Sequence, residues 1–107
     1  MNHLLNSWIK LLGLSDWNIT IKNNCKKSEL VSKDSDGEIE IIEPKRIGQI
    51  RIIKEPSRPE EEVLIHELLH AKLCLLDTDE NTIQSRLLHQ YIDDFARLLY
   101  KLKQGGK

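Results

Sequence analysis

Residues 60–73, which read EEEVLIHELLHAKL, decide the fold and the chemistry of this chain. His66 and His70 lie four positions apart, so on a helix both imidazoles leave the same face, one turn above the other. Glu67 follows the first histidine, where its carboxylate can reach a water molecule on an ion that the two rings hold. Two nitrogen ligands, a neighbouring base and an open coordination position are what a zinc hydrolase site requires.

The residues around this HExxH motif indicate a buried helix. Apart from the motif and Lys72, the side chains between Val63 and Leu73 are aliphatic. An alternative is a core helix that carries two structural histidines beside a solvated Glu67. Two histidines packed on one buried face would need hydrogen-bond partners, and the local sequence does not offer them. The motif therefore favours metal binding.

The composition indicates one domain without a general affinity for nucleic acids or membranes. We expect a single domain over 1–107, with 104–107 as a frayed tail, because 107 residues suffice for one modest core. The net charge of −1 lacks the basic excess of a nucleic-acid binder, and no apolar run approaches the length of a membrane span. Two cysteines and the lack of a signal-peptide pattern favour a reducing cytoplasm.

Hydrophobic periodicity predicts an α+β fold with an N-terminal helix, a three-stranded sheet, the motif helix and a C-terminal helix. Apolar residues recur at helical spacing over 3–12 and from 77 to about 103, and a Ser57–Glu60 capping box should start a motif helix that runs to about 76. Alternating apolar and polar residues predict strands at 17–22, 38–42 and 47–53, with a polar loop over 23–37. Because short polar connections join the strands, we expect an antiparallel sheet.

A zinc hydrolase usually holds its ion with three protein ligands, so the motif needs one more. His89 is the best candidate, because it lies in the middle of the last helix beside small neighbours that let another helix approach. We expect Asp93, one turn further on, to accept the other imidazole proton and orient the ring; Asp93 as the ligand itself is the alternative. The acids before that helix are expected to serve its turn and cap, namely Asp77, Asp79 and Glu80.

Together these features resemble a minimal zincin-like (HExxH) metallopeptidase, of the small phage and bacterial type related to the SprT-like and minimal gluzincin groups. The residues that carry the resemblance are 66–70, the preceding strand 47–53, and the following helix with His89. The opening 12–19, LGLSDWNI, is similar to the entry of such phage proteins. Leucines at 73 and 76 replace the Gly and His of metzincins, and the last helix has no Glu beyond its first turn. Ligation by three histidines therefore fits best.

The resemblance implies a zinc-dependent hydrolase that acts on a peptide or protein substrate. The Zn²⁺ would polarise the scissile carbonyl and activate its bound water, with Glu67 as general base and then general acid. The strand 47–53 would lie at the sheet edge above the ion, where Gln49, Ile50 and Arg51 would bind an extended peptide as a further strand.

Two other functions stay open at this point. The same fold could serve as a catalytically inactive zinc-binding or protein-interaction module, because a domain this small has little surface from which to build a substrate-specific cleft. Replacement of Glu67 by Gln separates these two functions, since only the hydrolase depends on that carboxylate for its turnover. Nucleic-acid binding through the scattered lysines is the third alternative.

Overall fold

A computed structural model describes residues 1–31, 35–42, 45–73 and 83–105. In chain order the elements are α1 (Asn2–Leu11), β1 (Asn18–Cys25), a 3₁₀ turn (Lys27–Glu29), β2 (Gly37–Ile42), β3 (Ile47–Ile53), α2 (Glu60–Lys72) and α3 (Ile83–Gly105). The α+β class is confirmed, and β3 has the predicted limits. α2 ends at Lys72 with Leu73 as its C-cap, before the predicted end near 76. The expected start of the last helix at 77 lies outside the described residues. Within the described ranges, no helix combines the length and apolarity that a bilayer span needs.

The three strands form one mixed sheet in the order β1-β3-β2. β2 and β3 pair antiparallel, whereas β1 and β3 pair parallel, so the prediction of an entirely antiparallel sheet is wrong. A short connection forces antiparallel pairing only between strands that are neighbours in the sheet. The β2–β3 connection meets that condition. The longer segment between β1 and β2 instead carries the chain past the position that β3 then fills.

Because β3 is the middle strand, its expected position at the sheet edge is wrong. Ile50 is fully buried, and Gln49 is exposed. Arg51 reaches across to the carboxylates of the neighbouring strand, at 2.8 Å from Glu38 and 2.7 Å from Glu40. β3 therefore has no unpaired edge to which a peptide could hydrogen-bond. Within the described sheet the unpaired edges belong to β1 and β2.

The motif helix α2 is the centre of the core, since it contacts α1, α3, β2 and β3. Its aliphatic side chains are buried, as the sequence predicts, and each contributes about 1.5–3 kcal/mol when fully removed from water. They pack against apolar side chains of both flanking helices and the sheet, among them Leu5, Trp8, Ile50, Ile52, Ile92 and Ala96. This packing fixes which face of α2 is left for the histidines.

The start of α2 differs from the predicted capping box. Pro59 occupies the N-cap position without a side-chain cap, and Ser57 turns instead to Asp36. The Ser57 hydroxyl donates to Asp36 Oδ2 at 2.7 Å, and its backbone N–H donates to Oδ1 at 2.9 Å. Three glutamates at 60–62 still complement the helix dipole. The contact ties the beginning of α2 to the beginning of β2, beside the motif.

Candidate metal centre

The two motif histidines converge on one point. Nε2 of His66 lies 3.0 Å from Nε2 of His70, and the ring centroids are 4.8 Å apart. A tetrahedral zinc ion at about 2.0–2.1 Å from each of two nitrogens separates them by about 3.3 Å. A hydrogen bond between two imidazoles is also about 3 Å long. The observed N–N distance thus fits either a shared ion or a shared proton, because the distances expected for the two cases differ by only a few tenths of an ångström.

Asp93 bears on that choice through the other nitrogen of His66. Its Oδ1 lies 2.8 Å from His66 Nδ1, close enough for an ion pair although the contact is poorly directed for a hydrogen bond. A carboxylate there favours a proton on Nδ1 and leaves Nε2 with a lone pair toward His70. Burial lowers the pKa of His66, an effect that Asp93 opposes and that Arg58 and His89 reinforce. A neutral imidazole is the form that binds metal.

The Asp93 carboxylate lies against His66, and its predicted role as the residue that orients His89 stays a prediction. His89 stands one turn earlier on α3, where its ring meets that of His70 edge-on, with centroids 5.0 Å apart. All three predicted histidines are thus neighbours. Among the described residues, however, no three His, Cys, Asp or Glu side chains already place their donor atoms around one point. A third ligand from α3 requires the exposed His89 side chain to turn toward the pair.

Glu67 is buried beside these rings, with 5% of its surface exposed. Burial raises the pKa of this carboxyl to about 8, with Arg58 lowering it and the charges of Glu38 and Asp93 raising it further. A carboxyl with a strongly raised pKa in a pocket is a candidate functional group.

A pocket of about 330 Å³ lies beside His66, Glu67 and Asp93 but does not reach His70 or His89; it is lined by Ser35, Asp36, Gly37, Arg58, His66, Glu67, Asp93 and Arg97. Arg58 is surrounded by acids, at 3.3 Å from Asp36, 3.7 Å from Glu62 and 3.8 Å from Asp93. Arg97 has no ion pair within the part of the chain that the structure describes.

Sequence reasoning missed Arg58, Arg97, Asp36 and Gly37, which reach the pocket from the start of α2, from α3 and from the start of β2. Only Arg58 carries a local signal, since it directly precedes the motif helix. The residues expected to bind substrate, Gln49, Ile50 and Arg51, do not line this pocket. The expected turn and cap residues Asp77, Asp79 and Glu80 lie outside the described residues.

The interpretation of this site depends on its own geometry and chemistry: a converging pair of imidazole nitrogens, an adjacent third ring, and a buried carboxyl in a polar pocket. In comparisons with known proteins, no family model, no curated protein and no solved structure matches this chain.

Proposed function

We propose that this chain is a zinc-dependent, metallopeptidase-like hydrolase of peptides or proteins in a reducing cytoplasm. The observation that carries the proposal is the 3.0 Å approach of His66 Nε2 and His70 Nε2, with the buried Glu67 in the same pocket as His66. His66, His70 and, after a turn of its side chain, His89 would hold the ion. Imidazole nitrogens are ligands that Zn²⁺ prefers.

When bound, Zn²⁺ supplies a Lewis acid that polarises a carbonyl and acidifies water. Glu67 would accept a proton from the attacking water and deliver it to the leaving amine, since its carboxyl lies in the same pocket as His66. Asp93 holds the His66 ring through Nδ1, so that the ring keeps its direction during the reaction.

The substrate would lie along β2 rather than β3. β2 is an edge strand of the described sheet, and Gly37 at its start lines the pocket beside Glu67. An extended peptide paired with this edge would pass the proposed zinc site. The Arg97 guanidinium lines the same pocket and suits a carbonyl or carboxylate oxygen of such a peptide.

Elemental analysis of purified protein tests the metal site. We expect one equivalent of zinc in the wild type and a large loss in His66→Ala and His89→Ala. His3→Ala is the matched control, because His3 is exposed on α1, away from the motif. A wild-type protein that binds no zinc after dialysis against a zinc buffer would overturn the proposal.

Turnover separates the hydrolase from the inactive zinc-binding or protein-interaction module. The zinc-loaded wild type should cleave members of a mixed peptide library followed by mass spectrometry, and Glu67→Gln should keep its zinc but lose cleavage. Zinc binding with no cleavage by either protein would favour the inactive module.

A further inference from the structure

The pocket beside the motif contains two guanidinium groups whose surroundings differ. Arg58 has three carboxylate neighbours at 3.3, 3.7 and 3.8 Å, which belong to Asp36, Glu62 and Asp93. Arg97 reaches the pocket from α3 and has no ion pair within the described ranges. The positive charge of Arg58 is thus matched inside the protein, whereas that of Arg97 is not.

The helix itself offers Arg97 two partners that it does not use. Asp93 and Asp94 stand four and three positions earlier on α3, the spacings at which acids and arginines pair along a helix. In the part of the chain that the structure describes, neither carboxylate pairs with Arg97, and Asp93 lies instead 2.8 Å from Nδ1 of His66. The N–H donors of the Arg97 guanidinium are therefore left for water or for a bound group.

The pocket gives Arg97 a setting that an ordinary surface arginine lacks. Arg97 is exposed while Glu67 is buried, so a group that enters toward Glu67 meets the guanidinium near the opening. Asp36 on the same wall does not compete for this charge, because its two oxygens accept from Ser57 at 2.7 and 2.9 Å. An anion that enters the pocket therefore finds one cation without a counter-charge.

We propose that Arg97 binds a carboxylate of the peptide substrate, so that the pocket selects acidic peptides. The proposal rests on the hydrolase function proposed above and names its substrate class. A planar guanidinium holds a carboxylate through two parallel N–H···O bonds, whereas a peptide carbonyl offers one oxygen and no charge. The carboxylate belongs either to an Asp or Glu side chain or to the C-terminus of the peptide, since both present the same group.

The spacing along α3 places this carboxylate near the bond that is cleaved. Asp93, which contacts the proposed zinc ligand His66, and Arg97 are four residues apart, or about 6 Å along the helix axis. An extended peptide spans about 3.3–3.6 Å per residue. We therefore expect the acidic group within about two residues of the scissile bond.

Peptide binding in the presence of 1,10-phenanthroline, a chelator without a carboxylate, tests the site in the absence of turnover. Two pairs of N-acetylated peptides are compared: one pair differs by Asp against Asn, and the other by a free C-terminus against an amide. NMR follows the Nε–H signal of Arg97, which is assigned by its loss in Arg97→Gln. The acidic member of at least one pair should shift this signal and bind about tenfold more tightly than its amide.

The pair that responds identifies the source of the carboxylate, a side chain or a chain end. If neither acidic peptide shifts the Arg97 signal more than its amide does, the proposal is overturned.

Variants at position 97 test whether this side chain is the selecting group. Arg97→Gln should bind acidic and amide peptides equally, and Arg97→Lys should keep part of the difference, because it retains the charge without the planar fork. Arg97→Glu should favour a peptide with Lys in place of Asp. Circular dichroism checks that each variant is folded.

Arg86→Gln is the matched control, since Arg86 is exposed on the same helix and does not line the pocket. It should keep the preference of the wild type. An equal loss of preference in Arg86→Gln and Arg97→Gln would show a general effect of net charge and would refute a site at Arg97.

Cleavage by the zinc-loaded protein separates this proposal from the hydrolase function on which it rests. We expect kcat/KM to be about tenfold higher for the acidic member of the responding pair, and this ratio should fall to about one in Arg97→Gln. Cleavage by the wild type with a ratio near one would overturn the acidic preference and leave the hydrolase in place. Carboxylate binding at Arg97 without cleavage of any peptide would overturn the hydrolase and leave the carboxylate site in place.

Discussion

The Asp93 carboxylate of α3 lies 2.8 Å from Nδ1 of His66 on α2, while Nε2 of the same ring faces His70 at 3.0 Å. One ring nitrogen of His66 thus faces a carboxylate and the other faces a second imidazole. This is the arrangement in which a carboxylate fixes the tautomer and direction of a metal-binding histidine.

We predict that Asp93→Asn weakens zinc binding by about 10–100-fold, because an amide holds the His66 proton less strongly than a carboxylate does. Competition with a chromophoric chelator measures the affinity. Asp94→Asn is the matched control: it removes the same charge from the next position of α3, which does not line the pocket. Equal zinc affinity in the wild type and Asp93→Asn would show that this contact does not orient the ring.

The second prediction concerns Glu67 in the metal-free protein. Burial raises its pKa from 4.5 to about 8, so the folded chain keeps a proton that the unfolded chain loses. The free energy of unfolding should therefore fall as the pH rises from about 4.5 to 8. Glu67→Gln has no such proton to lose, and it should become more stable than the wild type across this window, by up to a few kcal/mol at about 1.4 kcal/mol per pKa unit.

Urea denaturation of both proteins in the presence of a chelator, at pH 4.5 and at pH 8, measures this difference. Glu55→Gln is the control, because Glu55 is an exposed acid that is not among the charges that shift the pKa of Glu67. A stability gap between Glu67→Gln and the wild type that is the same at both pH values would contradict a raised pKa at Glu67.

The elements of this site follow from the sequence because their signals are local. The span of β3, the buried aliphatic face of α2 and the pairing of His66 with His70 each depend on residues within one or two turns of one another. Periodicity and spacing report such relations directly. The third histidine also comes from a local argument, since small neighbours at its helix position allow close approach.

Other parts of the site depend on which distant segments meet, and these could not be predicted from the sequence. Ser57 has the spacing of a cap but bonds to Asp36, because β2 begins beside it in the fold. Asp93 is predicted from its spacing to His89, and its contact with His66 on α2 has no local signal in the sequence. The position of β3 between β1 and β2 likewise has no local signal. As a result, the strand at the sheet edge beside the pocket is β2, and not β3 as the sequence predicts.

The third prediction concerns stability at low pH through Asp36. Burial raises the pKa of this carboxyl, but two hydrogen bonds from Ser57 and the charge of Arg58 outweigh burial and lower it below 3.8. The stability that these contacts provide is present at neutral pH and is lost as the pH falls through the lowered pKa. Asp36→Asn should cost about 1–2 kcal/mol at pH 7 and progressively less below about pH 4.

Denaturation of Asp36→Asn and the wild type at a series of pH values measures this trend. Ser57→Ala should give a smaller loss at pH 7, because the backbone N–H of Ser57 still donates to Asp36. If Asp36→Asn cost the same at pH 3 and pH 7, the ionised form of Asp36 would not be the stabilising one.

The fourth prediction concerns Glu61, which joins the three helices. It accepts hydrogen bonds from the Trp8 indole at 2.7 Å, from Lys103 at 2.6 Å and from the Gln104 amide at 3.3 Å. Glu61→Ala leaves the N–H of the buried Trp8 and the charge of the half-buried Lys103 without this carboxylate, so we expect a loss of about 1–3 kcal/mol. In Glu61→Ala, compared with the wild type, hydrogen exchange should speed up more at the end of α3 than at its middle. Glu55→Ala, at an exposed acid, should change neither measurement.

The last prediction concerns Gly37, at the point where β2 borders the pocket. A Cβ at this position would lie 2.7 Å from Val63 Cγ1 and 2.9 Å from the carbonyl oxygen of Arg51, so either β2 or α2 must move. We expect Gly37→Ala to cost about 1–3 kcal/mol and to weaken zinc binding, since the displaced helix carries both motif histidines. At Gly48 the nearest atom to a new Cβ is the flexible end of Ile39 at 3.3 Å, so Gly48→Ala should cost less. Adding Val63→Ala to Gly37→Ala removes one of the two clashes and should restore part of the zinc affinity. If the losses of zinc affinity from the two single changes simply added in the double variant, the contact between β2 and α2 would not position the site.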